Sequence, residues 1–526
     1  MRRLLAFTAL VTLIAIGASA ETVLRHDESA PGEIDPAKET DYAGGVLAIN
    51  IYDSLVEADA AKVVTASLAK SWTVSADGTS YTFKLEPNVK FHDGSVLSAS
   101  DIVFSYERLM ALKAGYSSLF EGWVKSVTAK DPTTVVFTLT KPYAPFLAAL
   151  TRLQVVDKAL VLNNKKDGTF GENGDYGQDY LGRLDAGSGP YSVVSHNGQE
   201  LTVLKKFPGY FRPFAPNAPD TVRIKYSLDT TTVQALMSRK EHDITSQWMP
   251  PEAYRALAAA GLPLLSEDSG SVLFLKLNTQ RAPTDDVNFR KAIASAFDYA
   301  ALYSLLKVTA TASSGKPSNG PLTSQMLGYN ASIPFPKRDL AAAKKYLSQS
   351  TYKDGGPAVE FAWIAEVPFE ERVALLFQQN MADIGVKVDI VKMPWTLFTE
   401  KVNKIDSTPN VSAVYSSPAV PDPDSQLYPM YHSTSGGTWL GAEWLKDAKV
   451  DELLEKGRGE TDSAKRTAIY QALEARLVDL QPDIFGYVQL SLFAKQKNVT
   501  VPNLEDPKKT VAMTGGNFVF RLIEVR

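Results

Sequence analysis

Side chains able to break bonds are scarce in this sequence, whereas side chains able to hold a small molecule are common. The five histidines, His26, His92, His196, His242 and His432, never fall at helical metal spacing, so no HExxH zinc site can form. No GxSxG nucleophile elbow and no P-loop occurs. Ser67-Leu68-Ala69-Lys70 has the S-x-x-K spacing of penicillin-recognising enzymes, but no K-T-G follows, and two fixed positions in four recur by chance. Cysteine is absent, which excludes a thiolate nucleophile, a Cys-based metal site and disulfides. Neither cofactor nor metal is expected. What remains is a set of aromatic residues that interrupt polar loops: Tyr42, Tyr116, Trp123, Trp248, Trp395 and Tyr415. Such rings offer apolar walls with a polar handle, which is binding chemistry rather than catalysis. For Tyr42, Trp123 and Trp248 ordinary core packing is an equal alternative. Trp72, Trp439 and Trp444 read as packing.

The elements that position these rings form a mixed α/β pattern. Ser80 to Leu85 alternates with period two, so Tyr81, Phe83 and Leu85 share one face of a strand. Phe91-His92-Asp93-Gly94 ends in a turn signal, and Ser98 with Asp101 reads as a capping box opening a helix. Residues 163–180 read as a polar surface excursion. From about residue 270 strands and helices alternate: a strand at 272–277, a helix at 286–306, a strand at 359–364, a helix at 369–384 capped by Gly385, a strand at 386–391, a helix at 395–402 and a strand at 411–415. This order predicts a largely parallel sheet. Ligands of such sheets collect at the carboxyl ends of strands, which directs attention to Tyr415, Ser416 and Ser417. Two further helices and an apolar run at 484–494 return the chain, so two lobes are expected, with crossings near 266–275 and 484–494.

At 526 residues the chain exceeds one hydrophobic core. Its formal charge of -4 leaves no polybasic footprint for nucleic acid or anionic lipid. Arg2 and Arg3, an apolar run from Leu4 to Ile16, and Ala18-Ser19-Ala20 read as a cleaved export signal. The run of about 13 residues is short of the roughly 20 that a membrane span needs. A mature chain beginning at Glu21, unlipidated and held in a Gram-negative periplasm, is the expectation.

The stretch Ala69 to Met110 resembles the extracellular solute-binding proteins of the oligopeptide, dipeptide and nickel-chelate importers. That resemblance continues through Ile34-Asp35-Pro36, Gly189-Pro190-Tyr191, Arg239 to Ile244, Phe274 to Asn278, Phe289 to Asp298 and Asp422-Pro423-Asp424. It implies a two-lobed α/β periplasmic binding protein fold with an extra subdomain in the first lobe. Residues 21–50, 185–268 and 490–526 would form the first lobe's core, 51–184 the extra subdomain and 269–489 the second lobe. It implies a monomeric receptor that traps a small solute by hinge closure and passes it to a permease and ATPase complex. In peptide-binding relatives a carboxylate four residues before the proline of the DPD-like motif reads the ligand's amine; here that position is Ala419, unless extra prolines bring Asp422 into register. Ser416 stands where a tryptophan is frequent, and Trp395 resembles a pocket tryptophan. Arg152 resembles an arginine that nickel-chelate members set against a ligand carboxylate, a task suited to its planar fork; a surface salt bridge is the alternative. The expected ligand is therefore anionic or polyhydroxylated: an opine-like conjugate, a metal chelate, an oligosaccharide or a modified peptide. A periplasmic hydrolase of cell-wall peptides, and a chaperone or signalling receptor using the same fold, are the competing readings.

Overall fold

The computed structural model describes residues 21–32, 34–60, 64–365 and 367–526. The export segment, 1–20, lies outside the described residues. The chain folds into two lobes. In the first, the strands Val23–Glu28, Thr221–Tyr226, Leu201–Lys206 and Tyr191–Asn197 lie side by side in that order. The first pair is parallel and the others are antiparallel. Thr221–Tyr226 alternates buried and exposed positions over its last four residues, as a half-covered strand should. Its Val222, Ile224 and Tyr226 pack with Leu47 and Ile51 of the helix Tyr42–Ile51 and with Phe518 and Phe520 of the C-terminal tail. Asp41 caps that helix by accepting from Gly44 N at 2.7 Å.

An all-antiparallel sheet, Ala69–Val74, Ser80–Leu85, Thr134–Leu139 and Val124–Asp131, is attached to this lobe. Tyr81, Phe83 and Leu85 face its core together with Phe137 and Phe146. Asp101 reaches back to Ser98 N at 2.8 Å and fixes the start of the helix Ala99–Leu112. Residues 163–180 do run over the surface, with 163–169 exposed, but the segment is anchored at its far end. Tyr176 and Leu181 are buried in the first lobe's core. The Asp175 carboxylate accepts from the amides of Lys166, Gly177 and Asp179, which folds the segment on itself.

The second lobe carries a six-stranded sheet in the order Gly315–Pro317, Asp483–Gln489, Val272–Leu277, Val411–Ser416, Val359–Ile364, Val388–Met393. Only the last two pairings are parallel; the first three are antiparallel. The expectation of a largely parallel sheet is thus corrected. The chain enters this lobe along Val272–Leu277 and leaves it along Asp483–Gln489, so these neighbours must run in opposite directions. Every residue of Val272–Leu277 is buried, because helices cover both faces of the sheet. The helix expected over 286–306 is two helices, Val287–Ala296 and Tyr299–Leu305. Phe297 leaves helical geometry at ψ 133°, and Asp298 caps the second helix by accepting from Ala301 N.

Both connections between lobes are strands. Leu264–Glu267 pairs with Ser491–Ala494 on the first-lobe side, and Val272–Leu277 pairs with Asp483–Gln489 on the other. Gly270 lies between the two pairings at φ +82°. A Cβ there would come within 3.1 Å of the Pro418 ring and 3.2 Å of Ala512 Cβ, so a side chain is doubly disfavoured at this point of the crossing.

Candidate functional site

The loop that follows the strand Val411–Ser416 lies on the seam between the lobes. Pro418 packs over Gly270 of the crossing. The next residue, Ala419, accepts a hydrogen bond from Arg152 Nε at 2.8 Å. Arg152 comes from the extra subdomain, where the turn Leu150–Arg152 follows the short helix Phe146–Ala149. Its Nη2 donates to the Thr514 carbonyl of the C-terminal tail at 2.7 Å. Tyr116 lies under the guanidinium, 4.5 Å from it, a cation–π contact. Burial pushes the Tyr116 phenol up to about 12. One arginine thus ties together the extra subdomain, the tail and the second lobe. Arg152 is 1% exposed, so the alternative of a surface salt bridge is excluded.

Three buried polar atoms at this seam have no hydrogen-bond partner besides their neighbours' charge. They are Arg152 Nη1 and both oxygens of Glu39, whose Oε1 lies 3.9 Å from that Nη1. Burial raises the Glu39 carboxyl to about 7, against the lowering effect of Arg152 and with a further push from Asp41. Gly45 makes the close approach feasible: a Cβ there would meet Glu39 Oε1 at 3.0 Å and the Thr514 carbonyl at 3.5 Å. Nothing in the sequence around Glu39 distinguishes it, and Thr514 contributes only its backbone. Both were therefore missed by sequence reasoning.

The other expected site residues are spread more widely. Ser416 is buried with its hydroxyl unpartnered, and its carbonyl accepts from Gln426 Nε2. Ser417 is half-buried beside it. Tyr42 opens its helix next to Gly515 of the tail, and its hydroxyl donates to Glu267 Oε2 at 2.9 Å. Glu267 ends the first-lobe half of the crossing; burial raises it to about 7. Trp248 meets Tyr42 edge-on at 6.5 Å, donates from Nε1 to Glu28 and is 56% exposed. Tyr415 points instead into the second lobe, where its hydroxyl meets that of Tyr487 at 2.5 Å and burial drives its phenol well above the usual range. Trp395 starts the helix Trp395–Lys401, rests on Trp439 and Phe398, and is 36% exposed.

Asp422 and Trp123 belong to a second seam. Both Asp422 oxygens accept from Arg466, at 2.6 and 2.7 Å, and the pair is buried. Its carboxylate is consumed by that fork, so the extra prolines do not deliver it as an amine reader. Next to it, Asp424 accepts from Arg458 Nε at 2.8 Å. The Arg458 guanidinium lies 3.2 Å from the Tyr428 ring centroid and 5.3 Å from that of Trp123 across the seam. Trp123 itself stacks on Tyr143 at 4.2 Å, and the amide of Ala144 donates to the Arg458 carbonyl. A cavity of about 130 Å³ lined by Tyr52, Asp53, Thr151, Gln154, Met513 and Arg521 lies in the first lobe, and neither Arg152 nor any second-lobe residue lines it.

Two α/β lobes joined by paired crossing strands, with polar groups converging on their seam, define a two-lobed periplasmic binding protein. Comparison with known proteins narrows the class. The family model of the bacterial extracellular solute-binding proteins, family 5, matches residues 63–438. The probable D,D-dipeptide-binding periplasmic protein DdpA of Escherichia coli (strain K12) is 27% identical over 482 residues, 89% of each chain. The periplasmic binding protein DppA of Helicobacter pylori, solved with the peptide STSA, superposes with a TM-score of 0.77 at 23% identity, covering 96% of this chain and 98% of that one. NikA of Brucella suis, solved with Fe(III)-EDTA, gives 0.80 at 20% identity, covering 96% and 100%. The chain belongs to the family 5 solute-binding proteins, the receptors of ATP-driven importers. No helix among the described residues is long and apolar enough to cross a membrane.

Proposed function

We propose that this chain captures an anionic or polyhydroxylated small solute between its lobes, closes over it about the crossings where Leu264–Glu267 runs into Val272–Leu277 and Asp483–Gln489 into Ser491–Ala494, and hands it to a permease and ATPase complex. It acts as a monomer in the periplasm. The observation that carries the reading is Arg152: a buried cation bonded to the carbonyls of two other parts of the fold, whose Nη1 makes no hydrogen bond and has only the Glu39 carboxylate, 3.9 Å away, as its counter-charge. A residue that must bridge the lobes and the ligand together couples occupancy to closure. Tyr116 lies under the guanidinium, Ser416 and Ser417 lead into the loop whose Ala419 carbonyl Arg152 holds, and Tyr42 lies beside Gly515, next to Thr514; Trp248 and Trp395 supply exposed rings at their own lobes. The solutes in the relatives' names, a D,D-dipeptide, the peptide STSA and Fe(III)-EDTA, all carry carboxylates. The family is one of binding proteins, and no catalytic constellation favours the hydrolase alternative.

Mass spectrometry of the purified protein tests this directly. An intact mass starting at Glu21 and a released anionic or polyhydroxylated solute are expected. In calorimetry with that solute, Arg152→Ala should weaken binding by roughly thirtyfold or more, since losing one partner of a buried charge pair costs ~2–5 kcal/mol. Unchanged affinity in Arg152→Ala, or tighter binding of unmodified di- to pentapeptides, would overturn the ligand reading.

A further inference from the structure

We infer that the cavity in the first lobe is a second binding site, separate from the solute seam, and that it takes a small hydroxy-monocarboxylate. The cavity opens between the extra subdomain, which supplies Ala58 and Gln154, the lobe's core, which supplies Asp53, and the C-terminal tail, which supplies Met513 and Arg521. Its volume of about 130 Å³ far exceeds the ~10–15 Å³ that one water needs. Two buried side chains in its wall lack partners. Arg521 is 9% exposed. A guanidinium carries five N–H donors, and Arg521 places one of them, from Nη1, on the Pro213 carbonyl at 3.5 Å. Its other donors meet no acceptor, and no carboxylate pairs with it, among the described residues. Gln154 is 6% exposed and its Oε1 has no donor; its Nε2 reaches only the Thr151 carbonyl, at 3.5 Å. Buried polar groups are normally paired, so a cation and an amide oxygen left open in one wall ask for a ligand that accepts from the first and donates to the second.

The rest of the wall narrows the ligand. The fork of Arg521 suits a planar carboxylate, which takes two N–H groups at once. Gln154 Oε1 needs a single donor, which a hydroxyl supplies. An ammonium would bring three donors to this one acceptor. The Asp53 oxygens already accept, from Tyr210 OH at 3.0 Å and Ser188 Oγ at 2.8 Å, and Glu57 is held by the Arg212 fork. These two carboxylates in the wall also disfavour a second negative charge on the ligand. A monoanion that carries one hydroxyl answers all of this.

The cavity also touches what holds Arg152. Thr151 and Gln154 flank that arginine in the chain, and Met513 and Gly516 flank Thr514, whose carbonyl accepts from Arg152 Nη2. Thr151 Oγ1 lies 3.8 Å from Met513 Sδ, so the two segments meet in the cavity wall. Gln154 reaches as well a void of about 10 Å³ that Arg152 itself lines. An occupant of the cavity therefore braces both segments from the first-lobe side. That consequence rests on the reading of Arg152 as a solute contact; the site itself does not.

The test titrates the full mature chain with propionate, L-lactate and L-alanine, probes of similar size that differ at one substituent, and reads binding by ligand-observed NMR. Lactate should bind roughly fivefold more tightly than propionate, which lacks the donor for Gln154, and more tightly than alanine. Arg521→Gln should weaken lactate binding roughly tenfold or more. So should Ala58→Phe, which puts a ring into the cavity and leaves Arg521 in place. Lactate should also slow hydrogen exchange at the amides of residues 511–516. Lactate held at Arg152 instead would be indifferent to both variants, and that result would overturn the inference. No binding of lactate, equal affinity for the three probes, or tighter binding of alanine would overturn it too. If neither variant folds, the ranking of the probes on the wild-type chain decides alone. Lactate binding with unchanged exchange at 511–516 would overturn the bracing.

Discussion

Arg458 offers a way to perturb closure without touching the solute seam. It is anchored in the second lobe by Asp424 and by the Tyr428 ring, and it reaches the first lobe through Trp123 at 5.3 Å and through its carbonyl, which accepts from Ala144 N at 2.8 Å. Arg458→Ala keeps the backbone contact and removes the guanidinium. What the closed arrangement loses across the seam is therefore a cation–π contact and its packing, ~0.5–2 kcal/mol. At 1.4 kcal/mol per decade the closed-to-open ratio should fall roughly two- to thirtyfold. A solute that binds the closed form loses apparent affinity in proportion to the closed population, and by the same factor for any solute.

The assay pairs small-angle scattering of the ligand-free protein with calorimetry of the co-purifying solute. If the ligand-free chain is mostly closed, Arg458→Ala should enlarge its radius of gyration. If it is mostly open, the same loss should appear as weaker binding. Trp123→Leu removes the other half of the contact, and the double variant should cost less than the sum of the singles, because one interaction is lost in all three. An unchanged radius together with unchanged affinity would refute this account of the second seam, as would strict additivity. Arg458→Ala also strips Asp424 of its counter-ion. Burial already raises that carboxyl to about 6, so lower thermal stability is expected in the same variant and serves as a control that the side chain was ordered.

Two further outcomes separate structural from ligand roles. Asp422→Ala leaves the buried Arg466 unpaired and should destabilise the fold by ~3–5 kcal/mol in denaturant unfolding; lost binding at unchanged stability would instead return Asp422 to the ligand site. Glu370 is raised to about 8 by burial, with Oε1 unpartnered and Oε2 accepting from Ile364 N. Its folded pKa exceeds the unfolded value near 4.3, so its stabilising balance is intact below about pH 4 and erodes as pH rises toward 8. Glu370→Gln should be near neutral in melting temperature at pH 5 and stabilising at pH 8; a pH-independent difference would refute the assignment.

The sequence exposed what is local. The strand Ser80–Leu85, the Ser98–Asp101 helix start and the Gly385 turn each follow from periodicity and capping, and the structure holds all three. It was misleading where a long-range partner decides. Sheet direction in the second lobe is set by the return strand Asp483–Gln489, more than 200 residues after its neighbour Val272–Leu277. The break at Phe297 hides inside a strongly apolar pattern, because an aspartate can cap a new helix as readily as decorate an existing one. Tyr176 and Leu181 are buried although the loop around them is polar, a consequence of Asp175 gathering three amides.

Position 419 shows why the site itself was only half legible. Read as a side chain, Ala419 is a deletion: a carboxylate expected there is gone. Read as backbone, it is a contact, since its carbonyl takes the Arg152 Nε proton at 2.8 Å. Backbone acceptors carry no sequence signature, and the Thr514 carbonyl is the same case. The negative charge that balances Arg152 comes from Glu39, 113 residues earlier in the chain, and it reaches the arginine because Gly45 has no Cβ to block it. Replacing Gly45 with alanine would push a methyl to 3.0 Å from Glu39 Oε1, displacing the carboxylate from the arginine before any ligand arrives. The charge pattern of the site is thus set by one missing side chain as firmly as by the two charged ones.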